Sequence, residues 1–569
     1  MFKLAFDTPI ILSLLYSIIF LIINLSLSNN LNNVFQKKKI FYNFKYSYLL
    51  SFYFIFLLDC LIFNLLILLE QKILSFYLYY LGKILIFVIL FKKIEFNVKY
   101  TKIDFIYKFI LSIFLIISFL PITDADSISI HLNFPLAYLY NQENIFDPIK
   151  YTELSLYFNS EIILLNSVLI KSSNLGNLIN FSTLVIFLYL SFEKLKKNNF
   201  LIFLFSMPLI LFLLNTQKLQ IFFAILYLVI FIYFYSLKTK KINNSTLLVI
   251  SLLIIFYISG KLNYLLLSVP LIIFILMKIK IQSLIFLRYL ILGSIFLILP
   301  ILLNKYYFYQ DPVAPFLSNL LNTDLQYKNL LNTISKQGWR ADDFKYADLF
   351  QFIVPANISY LSAATGFGFL YVLYKNLAQK IKPYFYVSMS GILLIYFSGQ
   401  IISRFYLESI LLLFWYSNFK ITKIINYFFK LQILIIAIIL SLFIFYSLTY
   451  TLQNTNSFMK KYSYTYFNAL NLNNLETNEN ILLLDTVRDS IFYKKNIYSL
   501  KVKNNDQYLI DTIKNYNIKY IVSKNYGKIP KCIKVELYKK IKIKNVTRNF
   551  LKGEKLEYNQ IFLVKKNKC

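Results

Sequence analysis

The stretch TPIILSLLYSIIFLIINLSLS, residues 8–28, runs for 21 residues without a charged side chain. A helix of about 20 apolar residues is long enough to cross the hydrocarbon core of a bilayer. The whole chain of 569 residues shares this character, because 58% of it is hydrophobic, only 15% is charged and its mean hydropathy is +0.59. We therefore predict a polytopic α-helical membrane protein. No basic segment or small-residue cleavage site accompanies residues 8–28, so we expect a retained span rather than a signal peptide.

Further apolar runs along the chain predict about 12–14 transmembrane helices. Several runs are shorter than the about 17 residues that a span usually needs, so we expect them to extend into their flanks or to cross a thinner region. The predicted spans are 8–28, 47–69, 73–91, 103–122, 176–193, 199–214, 219–236, 245–259, 262–277, 284–303, 349–374, 384–400, 403–418 and 428–450.

Lysines in the short loops predict the orientation of these spans, because basic loops stay on the cytoplasmic side. The lysine clusters fall on one side when the spans are counted in alternation. The long linkers 123–175 and 304–348 and the tail from residue 451 then face outward, and the acidic character of the first linker agrees with this. The clusters are Lys37, Lys38 and Lys39; Lys92 and Lys93; Lys194, Lys196 and Lys197; Lys238, Lys240 and Lys241; Lys278 and Lys280; Lys420 and Lys423.

The formal net charge of +33 has a plain explanation in this composition. The basic residues are nearly all Lys in a chain crowded with Asn, Ile, Phe and Tyr, which is typical of an AT-rich genome. The excess of lysine therefore reflects codon bias and membrane topology, and we expect no nucleic-acid partner. The three cysteines, Cys60, Cys532 and Cys569, are too scattered to indicate a zinc site or a disulfide framework.

The pattern changes near residue 451, so we divide the chain into a membrane domain, 1–450, and a small C-terminal domain, 451–569. The runs at 480–485, 497–502, 518–524 and 560–566 predict strands, and residues 506–516 predict an amphipathic helix. This alternation is typical of a small α/β domain, which we expect outside the cytoplasm. Within the first outer linker, residues 159–171 predict a half-length helix at the membrane interface.

The stretch PITDADSISIHLNFP, residues 121–135, places two carboxylates and the only histidine of the chain at the end of an apolar run. Asp124 and Asp126 have three interpretations: a solvated loop in which Asp126 caps the following helix, a divalent-metal site, or a general base at the membrane surface. The residues alone do not choose among them.

Residues 123–168 resemble the first outer loop of the GT-C glycosyltransferase superfamily, in particular bacterial envelope enzymes similar to the dolichyl-phosphate-mannose and aminoarabinose transferases. Three later segments are similar to elements of the same superfamily in the same order: SGKLNYLL (259–266), YYFYQDPVAPFLSN (306–319) and SRFYLES (403–409). The resemblance spans roughly residues 100–420. Ala125 separates the two acids, whereas many members have them adjacent.

The resemblance implies transfer of a sugar from a polyprenyl-phosphate donor to a glycan, lipid or protein acceptor on the outer face of a bacterial inner membrane, as in lipopolysaccharide assembly. It implies Asp126 as the base, with Asp124 as the assisting or alternative acid. No cofactor is certain besides this lipid-linked donor, and a divalent metal is an open possibility without assigned ligands. The chain also lacks a glycine-rich phosphate loop, which agrees with a donor that is not a nucleotide.

Arg404 and Lys261 are the predicted cations for the donor phosphate, although both could instead extend to the membrane interface. His131 could orient Asp126, contact the phosphate or fill a structural position. Prolines 312 and 315 are expected to shape their loop. The alternative functions are a transporter or flippase, which would require mid-membrane charges or repeats, and a polymerase of lipid-linked glycans, which would favour arginines over paired acids.

Overall fold

The structure is a computed structural model. It describes residues 10–90, 105–122, 124–140, 147, 149–150, 152–195, 199–237, 242–321, 323–338, 364–378, 382–398, 403–453, 459–460, 463–475, 479–484, 493, 496–500, 506–523, 529–544 and 556–567. Trp339 and Arg340, whose side-chain types suit either a sugar contact or an interfacial anchor, lie outside the described residues.

Helices form the first part of the chain, up to Gln453. They are α1 (Ile10–Lys37), α2 (Ser47–Leu68), α3 (Ile73–Leu90), α4 (Phe105–Phe119), α5 (Asn133–Tyr140), α6 (Asn159–Ile163), α7 (Leu165–Leu169), α8 (Leu175–Leu195), α9 (Phe200–Phe205), α10 (Pro208–Leu214), α11 (Gln220–Ser236), α12 (Asn244–Gly260), α13 (Leu262–Ile279), α14 (Ser283–Leu297), α15 (Leu299–Tyr309), α16 (Leu325–Gly338), α17 (Gly366–Leu377), α18 (Pro383–Phe397), α19 (Leu407–Tyr416) and α20 (Lys423–Gln453).

Among the described residues, five segments are long and apolar enough to cross a membrane: Ile10–Lys37, Ser47–Leu68, Ile73–Leu90, Leu175–Phe192 and Leu262–Leu297. Shorter apolar helices accompany them, including α11, α12 and α18. These segments agree with the predicted class of helical membrane protein, whereas the number of about 12–14 spans stays a prediction.

Two predicted segments differ from the observed helices. The span at 199–214 is two helices, because Pro208 lacks a backbone N–H and starts a new helix after a break at Met207. The predicted segment 159–171 is wrong in form, because it is not one helix, whereas its place at the membrane interface stays a prediction. It consists of the five-residue helices α6 and α7, whose side chains are buried inside the protein. Asn159 ties α6 to α2 and α12 through hydrogen bonds with Asn64 (2.8 Å) and Ser259 (2.6 Å).

An ion pair inside the helical domain joins α2 to α3. Lys83 Nζ lies 2.7 Å from both carboxylate oxygens of Asp59, and the hydroxyl of Tyr79 donates to the same carboxylate at 2.6 Å. Lys83 also lies over the ring of Phe20 in α1, 5.1 Å from its centroid. Charges in a membrane segment are costly unless they are neutralised, so this pair fixes the position of α3, which is otherwise weakly buried.

We predict that Asp59→Asn destabilises the protein strongly, because it leaves the buried charge of Lys83 without its counter-charge. Removal of one partner of a buried ion pair costs about 3–5 kcal/mol of unfolding free energy. The double variant Asp59→Asn/Lys83→Met removes both charges and should recover most of that loss. Thermal unfolding of the purified protein in detergent measures both effects, and a single variant as stable as the wild type would contradict the assigned role.

The C-terminal part contains the predicted strands and one that the sequence did not reveal. Helix α21 (Tyr464–Asn473) precedes β1 (Asn480–Leu484), β2 (Ile497–Leu500), α22 (Asp506–Asn515), β3 (Ile518–Ser523), β4 (Ile533–Lys544) and β5 (Leu556–Asn567). The sheet order is β2-β1-β3-β5-β4, with β1 parallel to β2 and β3, and β5 antiparallel to β3 and β4. Helices α21 and α22 cover opposite faces of the sheet, which confirms a small α/β fold.

The sheet domain contacts both long linkers of the helical domain. The edge strand β2 uses Ser499, whose N–H donates to Ile149 O at 2.9 Å and whose carbonyl accepts from Gln326 at 3.2 Å. The hydroxyls of Tyr508 and Tyr516 donate to Asp324 (2.8 Å) and Asp147 (3.0 Å). The two linkers and the sheet domain therefore lie together at one end of the helical domain.

Candidate functional site

The start of the first linker is organised by the carboxylate of Asp124. Its Oδ2 accepts hydrogen bonds from the backbone N–H and the hydroxyl of Ser127, at 2.9 and 2.8 Å. This is the hydrogen bonding expected of a helix cap. The prediction that Asp126 is the capping residue is wrong, since Asp126 makes no side-chain cap bond. A single π-helical turn, Ser127–His131, follows, and such turns are frequent at functional sites.

Lys218 bridges the two aspartates from the short connection between α10 and α11. Its Nζ lies 3.0 Å from Oδ2 of Asp124 and 3.0 Å from Oδ2 of Asp126. The lysine side chain is only 2% exposed, and it lies over the ring of Phe212, 4.8 Å from the centroid. A buried ammonium group needs opposite charge, and the paired acids supply it.

Arg404 approaches Asp126 from the other side. Its terminal nitrogen lies 3.8 Å from Oδ2 of Asp126, and its guanidinium lies over the ring of Phe405, 4.9 Å from the centroid. The side-chain amide of Gln220 donates to Arg404 O at 3.3 Å, which fixes this turn against α11. The Asp126 side chain remains 26% exposed, more than the 16% of Asp124, so it is the more accessible carboxylate.

Lys261 joins the same cluster from the junction of α12 and α13. Gly260 ends α12, and a Cβ atom there would lie 2.7 Å from the Phe223 ring, so glycine permits the close approach of α12 to α11. Lys261 follows with an extended backbone and lies over Phe405, 5.4 Å from the ring centroid. Burial, together with the positive charge of Arg404, lowers the pKa of Lys261 to about 8. The negative charges of Glu161 and Asp126 act in the opposite direction.

His131 pairs with Glu161 and not with Asp126. Its Nδ1 lies 2.5 Å from Oε1 of Glu161, whose carboxylate also accepts from the N–H of Phe158 (2.7 Å) and the hydroxyl of Ser160 (2.9 Å). Burial alone would raise the pKa of Glu161, but the hydrogen bonds and the charges of His131 and Lys261 hold it below its usual value. The structure thus gives His131 a buried partner that the sequence did not predict.

The second long linker contacts the first through Lys305. Its ammonium group donates to the carbonyls of Ser155 (2.8 Å) and Ala314 (3.2 Å) and lies 4.0 Å from the centroid of the Phe158 ring. Within the segment 311–318, the carboxylate of Asp311 accepts from the backbone N–H groups of residues 313 and 317 and from the hydroxyl of Ser318. These contacts agree with a structural role for Pro312 and Pro315.

All five predicted site residues, Asp124, Asp126, His131, Lys261 and Arg404, belong to one connected cluster with Lys218 and Glu161. Its three carboxylates, on Asp124, Asp126 and Glu161, face the basic side chains of Lys218, Lys261 and Arg404 and the imidazole of His131. In the described part of the chain, no three His, Cys, Asp or Glu side chains converge as metal ligands. The arrangement can bind an anion with its cations and accept a proton on its exposed carboxylate.

Comparisons with protein-family models, curated proteins and solved structures found no match to this chain.

The sequence does not predict Lys218 as a site residue, and it presents Glu161 only as one acid of an acidic linker. A signal for Lys218 does exist, because TQKLQ (216–220) is a short polar break between two apolar helices on the side that is poor in lysine. Glu161 carried no comparable signal. Its position 30 residues after His131 gives no indication of contact.

We predict that Asp124→Asn destabilises the protein more than Asp126→Asn does. An amide in place of the Asp124 carboxylate would weaken the cap and lose the charged bond to Lys218, at a cost of about 2 kcal/mol of unfolding free energy. Asp126 is more exposed and makes the longer contact to Arg404, so its replacement should cost about 1 kcal/mol or less. Thermal unfolding of the matched pair in one detergent tests this order, and equal or reversed losses would contradict it.

Proposed function

We propose that this chain is an integral-membrane glycosyltransferase of the GT-C type, which moves a sugar from a polyprenyl-phosphate donor to a glycan, lipid or protein acceptor. The observation that carries the proposal is the position of the accessible Asp126 carboxylate, 3.0 Å from Lys218 and 3.8 Å from Arg404. A base and phosphate-binding cations must lie this close together, because the anomeric carbon of the donor is bonded directly to its phosphate.

In the proposed reaction, Asp126 accepts the proton of the acceptor hydroxyl. The hydroxyl oxygen forms a bond to the anomeric carbon of the sugar while the bond from that carbon to the phosphate oxygen breaks. Polyprenyl phosphate leaves with the electron pair of the broken bond. A positioned carboxylate accelerates such a proton transfer by about 10²–10⁴-fold. Asp124, with its cap bonds to Ser127, positions the loop that carries Asp126.

Lys218, Lys261 and Arg404 stabilise the departing phosphate in this proposal. Negative charge grows on the phosphate oxygens as the bond breaks, and fixed cations lower the energy of that state. Arginine suits the role because its planar group keeps its charge and can form two parallel hydrogen bonds to a phosphate. Lys218 and Lys261 add charge from two other helical connections, so the phosphate would be held from several sides.

The proposed location of the site is the outer face of a bacterial inner membrane. The lysine distribution supports this orientation, and the two linkers and the sheet domain lie at the same end of the helices as the site. Cys532 of the sheet domain is disulfide-bonded, which is typical of compartments outside the cytoplasm.

We predict that Asp126→Asn lowers turnover of the correct polyprenyl-phosphate sugar by at least about 100-fold, because the amide cannot accept the proton. Asp124→Asn should retain most of the turnover at a temperature where the variant is folded. The assay supplies purified protein with a panel of polyprenyl-phosphate sugars and an acceptor extract and follows the release of polyprenyl phosphate. Unchanged turnover in both variants would overturn the mechanism.

We also predict that kcat/KM for the donor falls above about pH 8, where the Lys261 ammonium group loses its proton. The charge that attracts the phosphate is present below this pKa and absent above it. Lys261→Arg keeps its charge throughout, since the pKa of arginine is above about 12, and should abolish the alkaline fall. A pH profile from 6 to about 10 of both proteins is the measurement. The same alkaline fall in the arginine variant would exclude Lys261 as its cause.

A further inference from the structure

A group of polar atoms without hydrogen-bond partners lies buried beside the cations of the candidate site. Its members are Arg404 Nε, Gln220 Oε1, Glu408 Oε2 and the hydroxyls of Tyr227 and Tyr257, none of which has a partner among the described residues. Glu408 is 1% exposed, Gln220 2%, and both tyrosines 0%. Buried polar atoms are nearly always satisfied in folded proteins, so a local concentration of exceptions calls for a ligand or ordered water.

These atoms come from three helices that meet at the site. Glu408 lies at the start of α19, four residues after Arg404, and Gln220 lies at the start of α11, two residues after Lys218. Tyr257 lies one helical turn before Lys261 in α12. The group therefore extends from the charged cluster towards the interior of the helical domain.

The interior members of the group are mutual neighbours. The rings of Tyr227 and Tyr257 lie 5.4 Å apart between centroids, and the carboxyl group of Glu408 interacts electrostatically with both tyrosines. The hydroxyl of Tyr257 lies beside this carboxyl group, close to hydrogen-bonding distance but without a well-formed hydrogen bond. Lys261 is also within electrostatic range of Glu408, which connects the group to the phosphate-binding cations of the proposed function.

The chemistry of the unpartnered atoms defines the ligand. Arg404 Nε needs an acceptor and the side-chain oxygen of Gln220 needs a donor, whereas the carboxyl group of Glu408 and each tyrosine hydroxyl can donate or accept. A ring with several hydroxyl groups offers donors and acceptors together and matches the whole set.

We infer that Glu408, Tyr257, Tyr227 and Gln220 form the subsite for the sugar ring of the donor, next to the phosphate held by Lys261 and Arg404. This inference rests on the proposed function. It adds residues that determine which sugar is accepted, since a site that hydrogen-bonds hydroxyl groups rejects sugars that lack them.

The decisive variants are Tyr257→Phe and Glu408→Gln. Tyr257→Phe removes a buried hydroxyl that makes no well-formed hydrogen bond within the protein, so the variant should melt at about the same temperature as the wild type. With donor, the same variant should show a KM about tenfold higher, because the hydrogen bond to the sugar is lost. Glu408→Gln should raise the KM in the same way.

Tyr371→Phe is the matched control. Tyr371 in α17 is also buried with an unpartnered hydroxyl, and it packs against Phe367 and Phe429 away from the charged cluster. Tyr371→Phe should have the same effect on the melting temperature as Tyr257→Phe, but it should leave the KM for the donor unaltered. A raised KM in Tyr257→Phe with a normal KM in Tyr371→Phe therefore reports on the site and not on general stability.

Binding measured without turnover separates this inference from the proposed function. Wild-type protein should be stabilised against heat more by a polyprenyl-phosphate sugar than by polyprenyl phosphate, and Tyr257→Phe should lose only that difference. Wild-type turnover with an unchanged KM in both site variants would assign the atoms to ordered water and overturn the subsite alone. Absence of turnover with every donor would overturn the proposed function, and equal stabilisation by the two lipids would then overturn the subsite as well.

Discussion

The ammonium group of Lys218 lies 3.0 Å from each of two carboxylates, and the arrangement of the whole site depends on this contact. Lys218 and Asp124 are 94 positions apart in the chain, so their ion pair fixes the first long linker against the start of α11. The backbone N–H of Gln217 donates to the hydroxyl of Ser127 at 2.9 Å, which strengthens the same junction. Arg404 then reaches Asp126 from the turn before α19, and three distant parts of the chain meet at one place.

The balance of charge in the cluster bears on how Asp126 would change as a proton acceptor when the proposed donor binds. Without ligand, Lys218 and Arg404 neutralise Asp126, and a carboxylate that is bound to cations is a weak base. In the proposed reaction the donor phosphate competes for the same two cations. Its arrival would loosen their hold on Asp126 and so make this carboxylate a better proton acceptor when the donor is present. In the proposed reaction, the ion pairs of Asp126 with Lys218 and Arg404 therefore precede donor binding and do not prevent Asp126 from accepting the proton.

Much of the helical architecture could be predicted from the sequence, because long apolar runs have few alternatives to helices. The five predicted site residues also lie in one cluster, although the resemblance that suggested them finds no support in the comparisons. The partner of His131 could not be predicted, since α6 carries Glu161 into the interior by tertiary contacts with α2 and α12 that leave no periodic pattern. Strand β4 was missed for a different reason. Its lysines hide an alternation in which Ile541 and Ile543 are buried and Lys540 and Lys542 are exposed.

The sheet domain gains a structural role from its position. Its edge strand β2 and two tyrosines hold the linkers at Asp147, Ile149 and Asp324, while Lys305 joins the same linkers to each other. Under the proposed function, the loop that carries Asp126 needs such support, because a displacement of about 1 Å can cost a large part of the rate. The contact with Ile149 also covers part of the outer edge of β2, which would otherwise be free to associate with other chains. The sheet domain therefore stabilises the position of the first linker at this end of the helical domain. In the proposed reaction, an acceptor would have to approach the site beside the sheet domain.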